Sequence, residues 1–242
     1  MLRPSTIERI DAHWAAYLGC SLADLREARV TVISHGSQLV AYRGVYALCA
    51  MGSGLVISAP DEFTALLHAR CSRRKPATAF DARRIATVLR ARAGIAVGPA
   101  SLAYADGASF RPAVHAHGAR ELNGEDRELL RRLRDACDSV EWEHSGVDPV
   151  GNRVYGVFAE RALVAAASWD VRGSVSNVGV VTHPAHRGRG HGTAAASAVT
   201  AQLLDEGQLP QWQTLIDNAP SLRIGQALGY VERYRSIAVR LT

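Results

Sequence analysis

Val180-Val181-Thr182-His183-Pro184-Ala185-His186-Arg187-Gly188-Arg189-Gly190-His191-Gly192-Thr193 joins a β-branched run, Val175–Thr182, to an alanine-rich run that ends before Gly207. The first reads as a strand and the second as a helix, so three alternating glycines sit in a strand-to-helix turn. Glycines there let the backbone turn tightly and approach a ligand with no Cβ in the way. Successive peptide N–H groups feeding a helix N-terminus converge on one point, where the helix dipole, Arg187 and Arg189 add positive character. That arrangement suits a diphosphate. It also suits a plain glycine-rich connection, and the turn alone leaves both open.

Several diphosphate chemistries are excluded. Lys75 is the single lysine among the 28 basic residues and stands between Arg74 and Pro76, outside any glycine-rich turn. A Walker phosphate loop, which needs its lysine inside that turn, is ruled out, and a Schiff-base enzyme is disfavoured. The dinucleotide pattern GxGxxG fails because the third glycine comes one residue early, leaving Thr193 in its place. The ribose-binding acid about 20 residues on is also missing. Cys20, Cys49, Cys71 and Cys137 are scattered, with no CxxC pair. They suggest neither a disulfide framework nor a zinc knuckle.

Outward from the turn, the second half alternates elements. Asn123 is placed to cap a helix over 124–138, with Leu130, Leu133 and Cys137 inward and Glu128/Arg132 and Arg131/Asp135 paired outside. Arg153–Phe158 and Arg161–Trp169 read as a hairpin turning at Ala159-Glu160. Trp212–Ile216 is a strand, Ser221–Leu228 a short helix stopped by Gly229, and Ile237, Val239 and Leu241 alternate in a last strand. The first half reads as a helix over 5–18, strands at Val30–Ser34, Tyr46–Ala50 and Gly54–Ser58, and two helices. One helix starts at Pro60 with Phe63, Leu66 and Leu67 inward. The other is capped by Asp81, carries Ile85, Val88 and Leu89 inward, and ends at Gly94. Residues 98–118, with Gly98-Pro99, Asp106-Gly107 and Arg111-Pro112, read as loops and one short strand. The expectation is an α/β protein with a mixed α+β sheet, divided into an N-terminal α/β domain (1–117) and a C-terminal domain (118–242).

The segment Val180–Gly192 resembles the acetyl-CoA signature of the GNAT acyltransferases, [RQ]-x-x-G-x-[GA], with Arg187, Gly190 and Gly192 at the defining positions. Asn218-Ala219-Pro220-Ser221 followed by Leu228-Gly229-Tyr230 is similar to that family's N-x-x-S…L-G-[FY] ending. The resemblance covers roughly the C-terminal half. It implies a GNAT-like acyl-CoA N-acyltransferase fold in which acetyl-CoA lies where two neighbouring parallel strands splay apart. Pantetheine would pair with Val180, Val181 and Thr182, and pyrophosphate with N–H groups of Gly188, Arg189, Gly190, His191, Gly192 and Thr193. Asn218 and Ser221 would hold the pantetheine arm or thiol end. Gly225, costly inside a helix by about 1 kcal/mol, suits close approach by a ligand.

The resemblance implies N-acetyl transfer from acetyl-CoA to an amine by direct attack. The acceptor is a small molecule or a protein amine, and it must lose its proton first, since an ammonium titrates near ~10. The family's tyrosine acid and strand glutamate fall on Gly225 and Ser176, so Ser221 is the candidate acid. Asp170, Asn177, Glu143 and His144 are candidates for the base, and Trp142 and Trp169 for the acceptor wall. A CoA-binding sensor or pseudoenzyme is the alternative. His183, His186, His191 and the pair His115/His117 carry no metal-ligand spacing, so no metal is expected.

Charge is uneven. Residues 1–117 carry 14 basic and 8 acidic side chains, whereas 118–242 carry 14 and 15. The excess in Arg70, Arg73, Arg74, Lys75, Arg83, Arg84, Arg90 and Arg92 suits an acidic partner, RNA included. No aromatics interleave with these arginines to stack bases, so nucleic acid is disfavoured. The N-terminal half is open to three roles: completing the acceptor pocket, forming a homodimer interface, or being a degenerate relative of the second half. Gly44–Pro60 is interrupted by Gly52-Ser53-Gly54 and too short to span a membrane. The first 15 residues carry Arg3, Glu8, Arg9 and Asp11, unlike a secretory leader. A cytoplasmic location without membrane contact is the expectation.

Overall fold

Pro4 can open a helix because its missing N–H would have had no partner there, and α1 (Pro4–Leu18) ends at Gly19 in a left-handed turn (φ 76°). The computed structural model describes residues 1–37, 39, 41–114, 118–147 and 153–242. They form two compact units, one of residues 3–103, 214–219 and 232–242, the other of 1–2, 104–213 and 220–231.

In the unit built around 3–103, α1 is followed by α2 (Leu22–Arg26), which Ser21 caps through a reciprocal bond with Asp24. Three strands follow, β1 (Val30–Ser34), β2 (Gly44–Ala50) and β3 (Leu55–Ala59). Helices α3 (Asp61–Cys71), α4 (Pro76–Ala79) and α5 (Ala82–Leu89) lead to β4 (Ala93–Tyr104), and the chain's final strand, β10 (Val231–Leu241), returns to this unit. The strand order is β1-β3-β2-β10-β4, with β1 parallel to β3 and β2 antiparallel to both β3 and β10. One apolar core joins Val45, Leu55 and Ile57 to Phe63, Leu67, Ile85, Leu89, Ile237 and Val239. Elsewhere in the unit the fully buried Asp11 carboxylate is held by Arg26 (2.8 Å), Arg233 (3.1 Å) and the Tyr234 hydroxyl (2.7 Å).

Three expectations for this half are corrected. Leu66 is exposed, because only Phe63, Leu67 and Cys71 lie on the buried stripe of α3. The helix capped by Asp81 stops at Leu89, where Arg90 takes a positive φ of 56°, and Gly94 lies in a strand. That strand runs through Gly98-Pro99, which reads locally as a turn. Gly98 adopts φ 109° beside β10, where a Cβ would lie 2.7 Å from the Ser236 carbonyl oxygen, and Ala100, Leu102 and Tyr104 beyond it are buried.

In the other unit, Asn123 accepts from the Glu125 N–H and starts a 3-10 turn that runs into α6 (Arg127–Ala136). A further short helix, α7 (Ser139–Ser145), is capped by the Asp138 carboxylate. The strands β5 (Ala119–Glu121), β6 (Tyr155–Ala159), β7 (Ala162–Arg172), β8 (Val175–Thr182) and β9 (Pro210–Leu215) lie in the order β9-β8-β7-β6-β5. Helix α8 (His191–Asp205) leads from β8 to β9, and α9 (Ala219–Ala227) follows. Leu130 and Leu133 of α6 pack with Leu163, Ala166 and Val181 on one face of the sheet. Alternation along β8 puts Val180 and Thr182 on the opposite face, against Gly192 of α8. No helix among the described residues is long and apolar enough to cross a membrane.

Candidate acyl-transfer site

Strand β8 pairs with β7 along its whole length, from Val175 to Thr182. On its other edge it pairs with β9 in parallel only at Ser176↔Pro210 and Asn177↔Gln211. Beyond Asn177 the two parallel strands separate, leaving a gap beside Val178–Thr182 with backbone groups on its edge. Val180, Val181 and Thr182 therefore line the opening on one strand.

At the far end of β8 the glycine-rich turn meets the first turn of α8. Gly188 (φ 74°) and Gly190 (φ 80°) take left-handed conformations, and a Cβ at either would meet nothing within 4 Å. Among the described residues no acceptor faces the N–H groups of Gly188, Arg189, Gly190, His191, Gly192 or Thr193; the first bonded amide of α8 is that of Ala194, to Gly190 O at 2.9 Å. These open donors sit at the positive end of a 15-residue helix with no side-chain cap, the arrangement that holds anions. Gly192 has a different role. A Cβ there would lie 2.6 Å from Thr182 Oγ1, so its hydrogen lets α8 press onto β8.

Arg187 braces this turn. Its Nε donates to Thr182 O at 3.2 Å and its Nη2 to Glu141 Oε2 of α7 at 2.6 Å. Arg189 is exposed and makes no ion pair among the described residues. The His183 and His186 rings meet edge-on at 5.3 Å, and His186 lies 6.1 Å from His191. Burial, then His186 and Arg189, pull the His191 imidazole below its ordinary pKa. No group of three metal-ligating side chains occurs among the described residues. His115 and His117 lie outside them.

The opposite face of β8 carries Asn177 and Gly179. A Cβ at Gly179 would overlap the Ser145 carbonyl, so glycine lets the end of α7 reach the strand, where Ser168 Oγ donates to Gly146 O at 2.9 Å. Asn177 sits where the β8–β9 pairing ends, and its Oδ1 is buried without a hydrogen-bond partner among the described residues. Asp170 is its cross-strand neighbour in register on the same face, with the carboxylate paired to Arg172 at 2.8 Å. Ser176 is turned to the other face and bonded to the Gln208 side chain, so it is committed elsewhere.

Ser221 accepts from Trp212 Nε1 at 3.1 Å. The space beside Gly225 is taken by the same indole, since a Cβ there would stand 3.0 Å from Trp212 Cδ1. The packing of Trp212, and not the approach of a ligand, accounts for that glycine. Asn218 belongs to the other compact unit, where its N–H bonds Leu215 O at 3.1 Å. Trp169 is buried and Trp142 packs partly against the α6 core, whereas Glu143 and His144 are exposed. Glu141 and the contact of Trp212 with Gly225 escaped the sequence reading; the mid-helix glycine signals a close approach without naming the group that makes it.

Residues 155–237 match the family model described as GNAT acetyltransferase. A comparison with curated proteins finds no match. Among solved structures, a GNAT-family acetyltransferase of Novosphingobium aromaticivorans is 24% identical over 62% of this chain and 67% of its own, with a TM-score of 0.48. A GNAT-family acetyltransferase of Colwellia psychrerythraea is 10% identical over 62% of this chain and 59% of its own (TM-score 0.49), so the match spans less than two thirds of that protein. An aminoglycoside N-acetyltransferase in complex with CoA is 23% identical over 48% of this chain and 92% of its own (TM-score 0.37).

Proposed function

We propose, from the match of residues 155–237 to the GNAT acetyltransferase family model, that the protein is an N-acetyltransferase moving the acetyl group of acetyl-CoA to an amine. The observation that carries the reading is the loss of β8–β9 pairing after Asn177↔Gln211, leading toward a helix N-terminus whose first amides are open. The gap accepts an extended pantetheine arm along Val180, Val181 and Thr182. The amides of Gly188–Thr193 donate to the pyrophosphate, with Arg189 as an added cation and Arg187 holding the turn to Glu141.

Acetyl-CoA supplies an acetyl thioester, and transfer forms a C–N bond as the C–S bond breaks. An edge N–H of β8 in the gap stabilises the oxyanion that develops on attack. Asn177 Oδ1 is an acceptor with no partner among the described residues, so it receives an N–H of the incoming amine and aims its lone pair. An amide is no base; the proton passes to water or to Asp170, the carboxylate on the same face. Ser221, held by a hydrogen bond from Trp212 Nε1, is assigned to protonate the departing thiolate.

Thiol release from acetyl-CoA against a panel of small-molecule and peptide amines tests the proposal. Asn177→Ala should lower kcat/KM about tenfold, the worth of one transition-state hydrogen bond, with CoA affinity unchanged. Tight CoA binding with no thiol release for any amine would instead establish a CoA sensor. That second reading draws on Gly225 and Ser176, which occupy the expected acid and base positions and are committed elsewhere, Gly225 to packing on Trp212 and Ser176 to its bond with Gln208.

A further inference from the structure

A half-open groove of about 670 Å³ lies at the end of the β6–β7 hairpin, under α6. It opens on the α6 face of the sheet, whereas α8 packs on the opposite face, so it is separate from the amides that begin α8. Leu129, Leu133 and Leu163 give it an apolar floor, and its size is that of a small-molecule site, roughly 300–1,000 Å³. Arg132 on its wall is already tied to Glu128 at 3.0 Å. Glu160 and Arg161, the two residues of the hairpin turn, also line the groove, yet they pair neither with each other nor with another described residue.

The turn is built against local preference. β6 and β7 pair as far as Ala159↔Ala162, which leaves two residues in the loop. Glu160 takes φ 56°, the left-handed region that such hairpins usually fill with Gly, Asn or Asp. Just before the turn the register shifts between Val157 and Phe158, a bulge of the kind that re-aims side chains. A strained acid at the lip of a groove is an outlier that points to a use. His183, also on the wall, supplies a further donor. Its Nδ1 accepts from the Ala185 N–H at 3.2 Å, so the neutral ring carries its proton on Nε2.

We propose that this groove binds a free α-amino acid with an apolar side chain, independently of the acyl-transfer reading. With Arg132 neutralised by Glu128, one cation and one anion remain, and a zwitterion is the ligand whose charges match them. Arg161 meets the carboxylate with two parallel N–H bonds, His183 Nε2–H adds a third, and Glu160 accepts from the ammonium. The side chain lies over the leucine floor and loses its contact with water. A simple anion would face Glu160 uncompensated, and a simple amine would face Arg161 in the same way.

Calorimetric titration of the full chain with L-phenylalanine tests this, beside probes that each lack one feature: phenethylamine has no carboxylate, 3-phenylpropionate no ammonium, and L-alanine no ring. Wild type should bind L-phenylalanine saturably and each of the others at least about fivefold more weakly, the worth of one exposed ion pair or of the lost apolar contact. Arg161→Gln should bring the preference over phenethylamine below about twofold and keep that over 3-phenylpropionate, and Glu160→Gln should do the reverse. Both side chains are exposed, so unchanged melting temperatures show that the variants fold. Binding of L-phenylalanine that neither substitution alters belongs to another site and overturns the assignment. So does a folded wild type that binds none of the probes, or that takes any of the other three as tightly as L-phenylalanine.

Discussion

Two glycines make a matched pair for testing the anion site. Gly190 (φ 80°) and Gly207 (φ 69°) stand at opposite ends of α8, and a Cβ at either meets nothing within 4 Å. Alanine at each position has no clash to resolve and carries only the strain of a left-handed backbone, about 1 kcal/mol. Both variants should therefore melt about 2–4 °C below wild type, the shift expected for that cost in a chain of this size. Their ligand behaviour should diverge. Gly190 lies among the open amides, so a methyl there should crowd a bound diphosphate and cost it one or two charge-assisted bonds worth about 1.5–3 kcal/mol each. CoA affinity, measured by calorimetric titration, should fall at least tenfold in Gly190→Ala and stay within about twofold in Gly207→Ala. Equal affinity in the two variants would refute the assignment of the amides, because backbone strain is the same in both.

Further expectations follow from single contacts. Gly225→Ala gains about 1 kcal/mol of helix propensity, but its Cβ would meet Trp212 Cδ1 at 3.0 Å. It should be neutral or destabilising in wild type and stabilising in a Trp212→Ala background, so equal effects in chemical denaturation would dismiss the contact. Asp11→Ala strands Arg233 beside Tyr234 and should cost about 3 kcal/mol, the low end for a broken buried pair because Arg26 keeps contact with solvent. An unchanged urea midpoint would contradict this. Burial pulls the His13 imidazole down to about 4, below its unfolded value near 6.5. Its neutral form thus contributes stability that is complete above about pH 6.5 and lost as pH falls through 4, at no more than about 1.4 kcal/mol per unit. His13→Gln should flatten that part of the stability profile, and a profile parallel to wild type would exclude His13 as its source.

What the sequence made legible was local. Val175–Thr182 reads as a strand from β-branched residues alone, and Asp81 and Asn123 announce helix starts through side chains that reach the next amides. The strand-to-helix turn shows in three glycines, each with its own role: open left-handed turns at Gly188 and Gly190, close packing at Gly192. What escaped depends on partners distant in sequence. β4 runs through Gly98-Pro99 because β10 lies beside it, and nothing near residue 98 reveals that neighbour. α7 is too short for apolar periodicity to show, so Glu141, which braces Arg187, was invisible. Gly225 advertised a close approach correctly, but only tertiary structure identifies the approaching group as Trp212. Ser176 and Asn177 are adjacent in sequence and opposite in fate: one faces Gln208, and the other leaves an unpartnered oxygen where two strands part.

On the proposed function, the amides at the start of α8 hold the diphosphate of acetyl-CoA. Amide resonances followed by NMR during titration of isotope-labelled protein with acetyl-CoA test it directly. The N–H signals of Gly188 through Thr193 should shift the most and saturate together with those of Val180–Thr182, while Gly207 stays in place. Saturable binding that leaves residues 188–193 unmoved, or no binding by the folded protein, would contradict the claim.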